Sequence, residues 1–224
     1  MVLRFFGGSR QDKLEHVQQT LLAMLFDDRH SFDLAMSALL AGADPTIIGP
    51  ELRETDQKVN EGERSIRREL LVHASVHGTR DVPVILIYMS IVKDVERIGD
   101  YAKNIYDLAA QRRDLNDSPD IESLRTLGNR VSGMITECSR LFAADDVDGA
   151  RDMIQMADEM LDECDEQVEA LVVTREPGRD AVIRALLYRY LKRIVSHLMN
   201  VLSAIVMPVD QLDYFDEIKG DRNS

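Results

Sequence analysis

Residues 82–110 read VPVILIYMSIVKDVERIGDYAKNIYDLAA. Apolar side chains recur there every three or four residues, at Val84, Ile87, Ile91, Val95, Ile98, Ala102, Ile105 and Ala109. This spacing places them on one stripe of an α-helix, and a stripe of that length packs long helices side by side. Asp81 suits the N-cap position and Pro83 the first turn. The segment therefore predicts a long helix over about 82–112.

The same periodicity continues through most of the chain, and no convincing stretch alternates with the period of two expected of a strand. Gly and Pro residues divide the chain into long helical segments. Pro50 suits either a first-turn position or a kink, and Gly78 ends the second segment. Six helices are predicted, over about 11–40, 50–72 or 50–76, 82–112, 119–144, 148–174 and 179–207. The predicted fold class is therefore all-α.

An internal repeat relates the two halves of the chain. Residues 95–105 align without gaps on residues 191–201, and a weaker match of acidic residues relates 56–63 to 158–165. Both matches occur in the same order, which is typical of a tandem duplication. We therefore predict two three-helix bundles, at 9–113 and, in degenerate form, at 119–208, followed by an acidic tail, 209–224, that we leave unassigned.

Acidic residues of the first repeat form a candidate metal site. An antiparallel hairpin that turns near residue 78 places Asp56 opposite Asp100, and Asn60 opposite Glu96. Each helix contributes two groups four residues apart, on one face and one turn apart. Three carboxylates this close repel one another unless a cation lies among them. Ligand sets made only of oxygen favour hard cations such as Mg²⁺, Mn²⁺, Ca²⁺ or iron.

Asp94 and Glu63 are near enough in sequence to assist this site from its periphery. The alternative is that all of these residues are solvated acidic positions on a strongly acidic protein. Arg97, Lys58 or Lys93 would then neutralise them in surface ion pairs worth about 0–1 kcal/mol. Spacing alone leaves both interpretations open.

The second repeat differs at the corresponding positions. A hairpin that turns near residue 177 places Asp158 opposite Ser196, and Asp162 opposite Lys192. Because Lys192 can pair directly with Asp162, no cation is required. We therefore predict a metal site in the first bundle only, with a salt bridge in its place in the second.

Residues 94–105, DVERIGDYAKNI, resemble the signature of the PhoU family of phosphate-transport regulatory proteins, D/N-x-E-R-I-G-D-x-A-x-N-I. The resemblance extends over about residues 10–208 and implies two three-helix bundles packed into one six-helix domain. It also implies that E/D-x-x-x-D motifs bind metal ions, as iron clusters or as zinc. Those motifs fall on Glu96 and Asp100, on Asp56 and Asn60, and on Asp158 and Asp162. Three residues depart from the pattern: Asn60, Lys192 and Ser196.

The resemblance further implies regulation rather than catalysis. Members of the family act on the cytoplasmic side of phosphate uptake, linked to the ATPase of the transporter and to a sensor histidine kinase. Another branch is associated with simpler phosphate permeases, and the short apolar stretch 3–6 faintly resembles that branch. We expect a homodimer that is peripheral to the membrane through its partners, and a bound metal such as iron, zinc, magnesium or manganese.

Composition limits the remaining alternatives. The chain has 224 residues, with 27 Lys and Arg against 40 Asp and Glu, and its formal charge of −13 makes a general nucleic-acid binder unfavourable. Its two cysteines, Cys138 and Cys164, are predicted to be free thiols, which suits a reducing cytoplasm. A carboxylate-bridged metalloenzyme and a helical scaffold without a ligand are the alternatives. Di-iron bundles use Glu-x-x-His pairs, and no glutamate here has a histidine three residues later.

Overall fold

The structure, a computed structural model, describes residues 9–111, 115–116, 118, 120–174, 178 and 180–212. Six long helices dominate it: α1 Ser9–Leu40, α2 Pro45–His77, α3 Val82–Ala110, α4 Ile121–Ala144, α5 Val147–Val173 and α6 Ala181–Val206. Two short 3₁₀ turns, Gly78–Asp81 and Val209–Gln211, accompany them. No strand occurs in these ranges, and the predicted all-α class is confirmed.

Helix α2 begins five residues earlier than predicted. Asp44 is its N-cap and accepts a hydrogen bond from the Thr46 backbone N–H at 2.8 Å, while Pro45 occupies the first turn. Pro50 therefore lies inside the helix, where it has no N–H to donate. The Asp-Pro pair at 44–45 is a better start signal than the Gly-Pro pair at 49–50, since it combines an N-cap side chain with a first-turn proline.

The turn between α2 and α3 follows the prediction in its backbone and differs in one side chain. Gly78 ends α2 with a φ of 70°, a left-handed conformation that favours glycine. Asp81 occupies the N-cap position of α3 but makes no capping hydrogen bond. Its Oδ2 instead lies 2.7 Å from Nε2 of His73, and both side chains are buried. This pair ties the end of α2 to the start of α3.

The helices form two groups of three. Helices α1, α2 and α3 pack on one another, as do α4, α5 and α6, and the α3–α6 and α1–α4 contacts join the two groups. The predicted border between the repeats, residues 114–118, lies partly outside the described residues. Of the predicted tail, Val209–Gln211 forms a 3₁₀ turn that contacts α3, and residues 213–224 lie outside the described ranges.

Equivalent residues of the two repeats meet where α3 crosses α6. Asp94 Oδ1 lies 2.8 Å from His197 Nδ1 and accepts a hydrogen bond from Asn200 Nδ2 at 3.0 Å. The rings of Tyr101 and Tyr190 lie 5.9 Å apart. In the repeat alignment Asp94 corresponds to Tyr190, and Tyr101 corresponds to His197. The two contacts are therefore equivalent to each other under a local pseudo-twofold rotation that relates the repeats. They also show that α3 and α6 run antiparallel.

Both cysteines are free and buried, as predicted. Burial raises the pKa of the Cys164 thiol to about 12 and raises that of Cys138 as well. Both thiols are therefore protonated at neutral pH and serve as small apolar side chains of the core. Within the described ranges, none of the helices combines the length and the apolar character needed to cross a membrane.

Candidate metal centre

The α2–α3 hairpin brings Asp56 and Asp100 to the same ammonium group. Lys103 Nζ lies 2.6 Å from Asp56 Oδ1 and 2.7 Å from Asp100 Oδ1. Helix α3 provides Asp100 and Lys103 three residues apart, and α2 provides Asp56 from across the hairpin. The two carboxylates predicted to share a metal ion thus share a lysine, which sequence analysis did not place there.

Asn60 and Glu96 lie one turn further along the same two helices. The Asn60 amide donates a hydrogen bond from Nδ2 to the Asp56 backbone carbonyl at 2.9 Å. Glu96 Oε2 lies 2.5 Å from Lys93 Nζ, and Lys93 also lies 4.0 Å from Glu63 Oε1. Two lysines of α3 thus alternate with the acidic residues along the groove between α2 and α3.

Asp28 of α1 is the important residue that sequence analysis missed. Its side chain is completely buried, and neither carboxylate oxygen has a hydrogen-bond partner among the described residues. Burial raises the pKa of this carboxyl well above its ordinary value, and neighbouring negative charges raise it further. Those charges belong to Asp27, Glu96, Asp100 and Asp56. Asp28 therefore belongs to the acidic cluster, which we define as Asp28, Asp56, Asn60, Glu96 and Asp100.

A sequence signal for Asp28 exists. Leu21, Leu25 and Phe32 form a buried stripe on α1, and Asp28 lies within that stripe at the spacing of an apolar residue. An aspartate in the apolar stripe of a long helix carries a large desolvation cost unless it has a charged or hydrogen-bonding partner. Such a residue is a candidate ligand on physical grounds.

Gly99 makes room for Asp28. A Cβ atom at Gly99 would lie 2.5 Å from Asp28 Oδ1, far inside van der Waals contact. The glycine of the ERIGD segment thus allows α1 to place its carboxylate directly against α3. This explains in physical terms why that segment has a glycine between Glu96 and Asp100.

The cationic state of Lys103 matches its surroundings. Burial lowers the pKa of its ammonium, but hydrogen bonds and attraction from Asp100 and Asp56 outweigh burial, so the pKa is raised overall. Lys103 therefore carries a full positive charge at neutral pH. It occupies the position between two carboxylates where a metal ion was expected.

Asp94, predicted to assist the metal site, lies on another face of α3. Its carboxylate contacts His197 and Asn200 of α6, and it is buried between the two repeats. Asp94 is therefore not brought to the acidic cluster. Closeness in sequence to the other acidic residues of α3 was misleading for Asp94. Consecutive residues of a helix point about 100° apart, so neighbours in sequence do not share a face.

Asp94→Ala should destabilise the protein strongly, because His197 and Asn200 would lose a buried acceptor. We expect the free energy of unfolding to fall by about 2–4 kcal/mol in urea denaturation followed by circular dichroism. Asp148→Ala is the control, since that side chain is 96% exposed and makes one long contact to Arg151. A loss no larger than that of the control would contradict the structural role given to Asp94.

In the second repeat, basic side chains take the equivalent place. Lys192 Nζ contacts Asp165 Oδ2, and Arg189 Nη1 lies 3.5 Å from Asp165 Oδ1. The predicted partner was Asp162, one turn away on the same helix. Lys192 thus forms a salt bridge across the second hairpin, and the acidic partner that the structure gives it is Asp165.

The described residues contain no set of three or more His, Cys, Asp or Glu side chains already arranged around a common ion position. The acidic cluster nevertheless offers one group that fits a cation, the fully buried Asp28 carboxylate, which has no hydrogen-bond partner in the part of the chain that the structure describes. An ion bound by both Asp56 and Asp100 would have to replace the Lys103 ammonium that now lies between them. The geometry is thus that of two carboxylates bridged by a lysine ammonium.

Comparisons with known proteins agree with this architecture. The family model described as PhoU domain matches residues 21–109. A phosphate-specific transport system accessory protein PhoU homolog from Pseudomonas aeruginosa is 28% identical and aligns over 90% of this chain and 85% of its own length. A protein of the same description from Deinococcus radiodurans is 30% identical, over 67% of this chain and 74% of its own length.

Solved structures give the same result. The crystal structure of PhoU from Pseudomonas aeruginosa superposes with a TM-score of 0.75 at 28% identity, covering 87% of this chain and 95% of that one. The phosphate transport system regulatory protein PhoU from Streptococcus pneumoniae has a TM-score of 0.76 at 16% identity, covering 88% and 95%, which supports the fold alone. By sequence and by structure, the chain belongs to the PhoU family.

Proposed function

We propose that this protein is a regulatory accessory protein of phosphate uptake, which acts through protein–protein contacts and without turnover of its own. The observation that carries the proposal is similarity over most of the chain to relatives described as phosphate-specific transport system accessory proteins. The long helices support it, because they offer extended rigid faces to a partner. The partners would be a transporter component, either an ATPase or a permease, and a sensor histidine kinase.

The proposed working form is a cytoplasmic homodimer that reaches the membrane through these partners. One of its features supports a cytoplasmic location: both cysteines are free thiols, as is usual in a reducing compartment. The proposal requires no catalytic step, so the helical surfaces rather than a reacting group would carry the function.

We further propose that the acidic cluster binds a metal ion, with iron, zinc, manganese or magnesium as candidates. Asp28, Asp56, Glu96 and Asp100 would provide carboxylate oxygens, and Asn60 would provide its amide oxygen. The ion would compensate the negative charges that surround Asp28 and would draw α1, α2 and α3 together. Its role would be structural or modulatory, by tightening the helix faces that meet a partner.

A deletion strain tests the regulatory role. A reporter driven by a phosphate-starvation promoter should become active in phosphate-rich medium when the gene is deleted, and the wild-type gene should restore repression. Pull-down from the complemented strain should recover a transporter ATPase or a permease, which distinguishes the two branches of the family. Normal phosphate control in the deletion strain, together with recovery of none of these partners, would overturn the proposal.

Elemental analysis tests the metal. Protein purified without chelator should contain metal in a fixed ratio to the chain, and Asp100→Ala should lower that content without unfolding the helices. Asp148→Ala, an exposed acidic residue of the second repeat, is the matched control and should retain the metal. Equal metal content in all three proteins would exclude the acidic cluster as the site.

A further inference from the structure

The end of the α2–α3 hairpin exposes large apolar side chains. Leu71 is 69% exposed, Val76 66% and Leu86 52%. We define the apolar tip as Leu71, Val72, Val76, Val82, Leu86 and Met89, all exposed and drawn from the last two turns of α2 and the first two turns of α3. Monomeric proteins rarely leave a group of this kind uncovered, so such a group indicates a contact surface.

Arginines lie immediately behind the apolar tip. Arg64 and Arg68 are exposed on α2, one to two turns before Leu71 and Val72. Among the described residues neither guanidinium has an ion-pair partner. At a rise of 1.5 Å per residue, Arg64 lies roughly 12 Å along the helix axis from Val72, and Arg68 roughly half that distance. We call these two arginines the basic collar.

The second hairpin provides an internal comparison. It also exposes apolar residues beside its turn, with Val172 at 76% near the end of α5 and Val182 at 72% near the start of α6. Its charges are opposite. Residues 64–93 contain five Lys and Arg against two Asp and Glu, whereas residues 160–189, which span the corresponding end of the second hairpin, contain four against seven. In a chain with a net charge of −13, the first hairpin is therefore a local positive region behind an apolar end.

We propose that the apolar tip and the basic collar bind directly to an anionic lipid bilayer. Apolar side chains at the end of a hairpin can enter the interface, while arginines one to two turns behind them meet the lipid phosphates. The placement favours a bilayer over an acidic helix, because the exposed apolar residues lie on both helices at the turn of a hairpin, whereas an amphipathic helix binds in an apolar groove. This contact goes beyond the proposed function and would orient the protein at the membrane even before a transporter component is met.

Partition of the protein between solution and lipid vesicles tests this proposal. The full chain is used after chelator treatment, with no transporter and no metal present. The protein should sediment with vesicles of phosphatidylcholine mixed with phosphatidylglycerol and remain in solution with phosphatidylcholine alone. Each arginine near an anionic surface contributes roughly a fivefold factor, so Arg64→Gln with Arg68→Gln should lower partition roughly 25-fold. Raising the salt concentration should weaken binding in the same direction.

The two hairpins supply matched variants. Val76→Asp and Leu86→Asp should abolish binding, whereas Val172→Asp and Val182→Asp, at the end of the second hairpin, should leave it unchanged. Circular dichroism confirms that each variant is folded, which is expected because all four side chains are exposed. Absence of binding to the mixed vesicles, or equal loss from both pairs of variants, would overturn the proposal and would leave the regulatory role untouched. Binding of an acidic amphipathic peptide in place of vesicles would also overturn it.

Discussion

Asp28→Asn is expected to stabilise the protein after chelator treatment and to remove its response to metal. The Asp28 carboxylate is buried near four other carboxylates and has no hydrogen-bond partner among the described residues, whereas an asparagine amide could donate hydrogen bonds to such acceptors. A buried polar group without a partner costs about 1–3 kcal/mol. Because a chain of this size gains roughly 2–4 °C per kcal/mol, thermal denaturation should show a melting temperature higher by about 2–12 °C.

The same substitution should change how stability depends on pH. The pKa of Asp28 is raised in the folded protein, mainly by burial, so the unfolded chain loses this proton at a lower pH than the folded chain does. The contribution of Asp28 to stability is therefore largest at acidic pH and falls as the pH rises through the raised pKa. The advantage of Asp28→Asn should accordingly be greatest at neutral pH and shrink towards pH 4 in parallel urea titrations.

Metal addition separates the two roles of Asp28. Zn²⁺ and Mn²⁺, titrated separately, should raise the melting temperature of the wild-type protein and have no effect on Asp28→Asn. A ligand present at 100 times its Kd stabilises a protein by about 2.7 kcal/mol. Asp27→Asn removes the same charge one residue away and should retain most of the response. A metal response of wild-type size in Asp28→Asn would show that the ion binds elsewhere.

Lys103→Met should destabilise the protein free of metal and strengthen its binding of metal, which is the reverse of the two effects expected of Asp28→Asn. Loss of the ammonium leaves Asp56 and Asp100 facing each other without a cation, so the protein free of metal should lose about 1 kcal/mol of stability. A metal ion would no longer compete with the lysine, so its affinity should rise roughly tenfold, equivalent to about 1.4 kcal/mol. Isothermal titration calorimetry with Zn²⁺ and Mn²⁺ measures this change directly.

Lys58→Met is the matched control for Lys103→Met. Lys58 pairs with Glu54 on the outer face of α2, at 2.9 Å and with both side chains more than half exposed. Its loss should change neither stability nor metal affinity appreciably. If Lys103→Met bound metal no better than Lys58→Met, the lysine would be a structural partner of Asp56 and Asp100 rather than an occupant of a cation site.

Most of the fold could be read from the sequence because it depends on periodicity and on helix ends. The apolar stripe of α3 and the turn at Gly78 gave both the hairpin and its register, which the Lys103–Asp56 contact supports. The early start of α2 at Pro45 was missed because two proline signals competed within six residues. Of the two, only Pro45 follows a residue, Asp44, whose side chain caps the helix.

The candidate site was only partly predictable. The register of a hairpin shows which residues of its two helices lie side by side, but it does not show which residues a third helix adds to them. Asp56 and Asp100 came from the hairpin. Asp28 comes from α1, whose rotation about its own axis follows from core packing that no local pattern specifies. The position of Lys103 was missed for another reason. Its long flexible side chain lies on the same face as Asp100 and can reach any carboxylate nearby, so the sequence does not show which carboxylates it pairs with.

The crossing of α3 over α6 has a consequence for how this architecture could diverge. If each repeat were a separate polypeptide, its crossing helix would have to pack on the same helix of an identical copy. The assembly of that dimer would depend on protein concentration. Ten residues join α3 to α4 instead, which makes the encounter intramolecular, at an effective concentration of roughly millimolar for a short tether. Covalent fusion also allows the α3 side and the α6 side of this contact to have different residues. An imidazole–carboxylate pair at one side and two phenol rings at the other is an asymmetry that no twofold homodimer could encode.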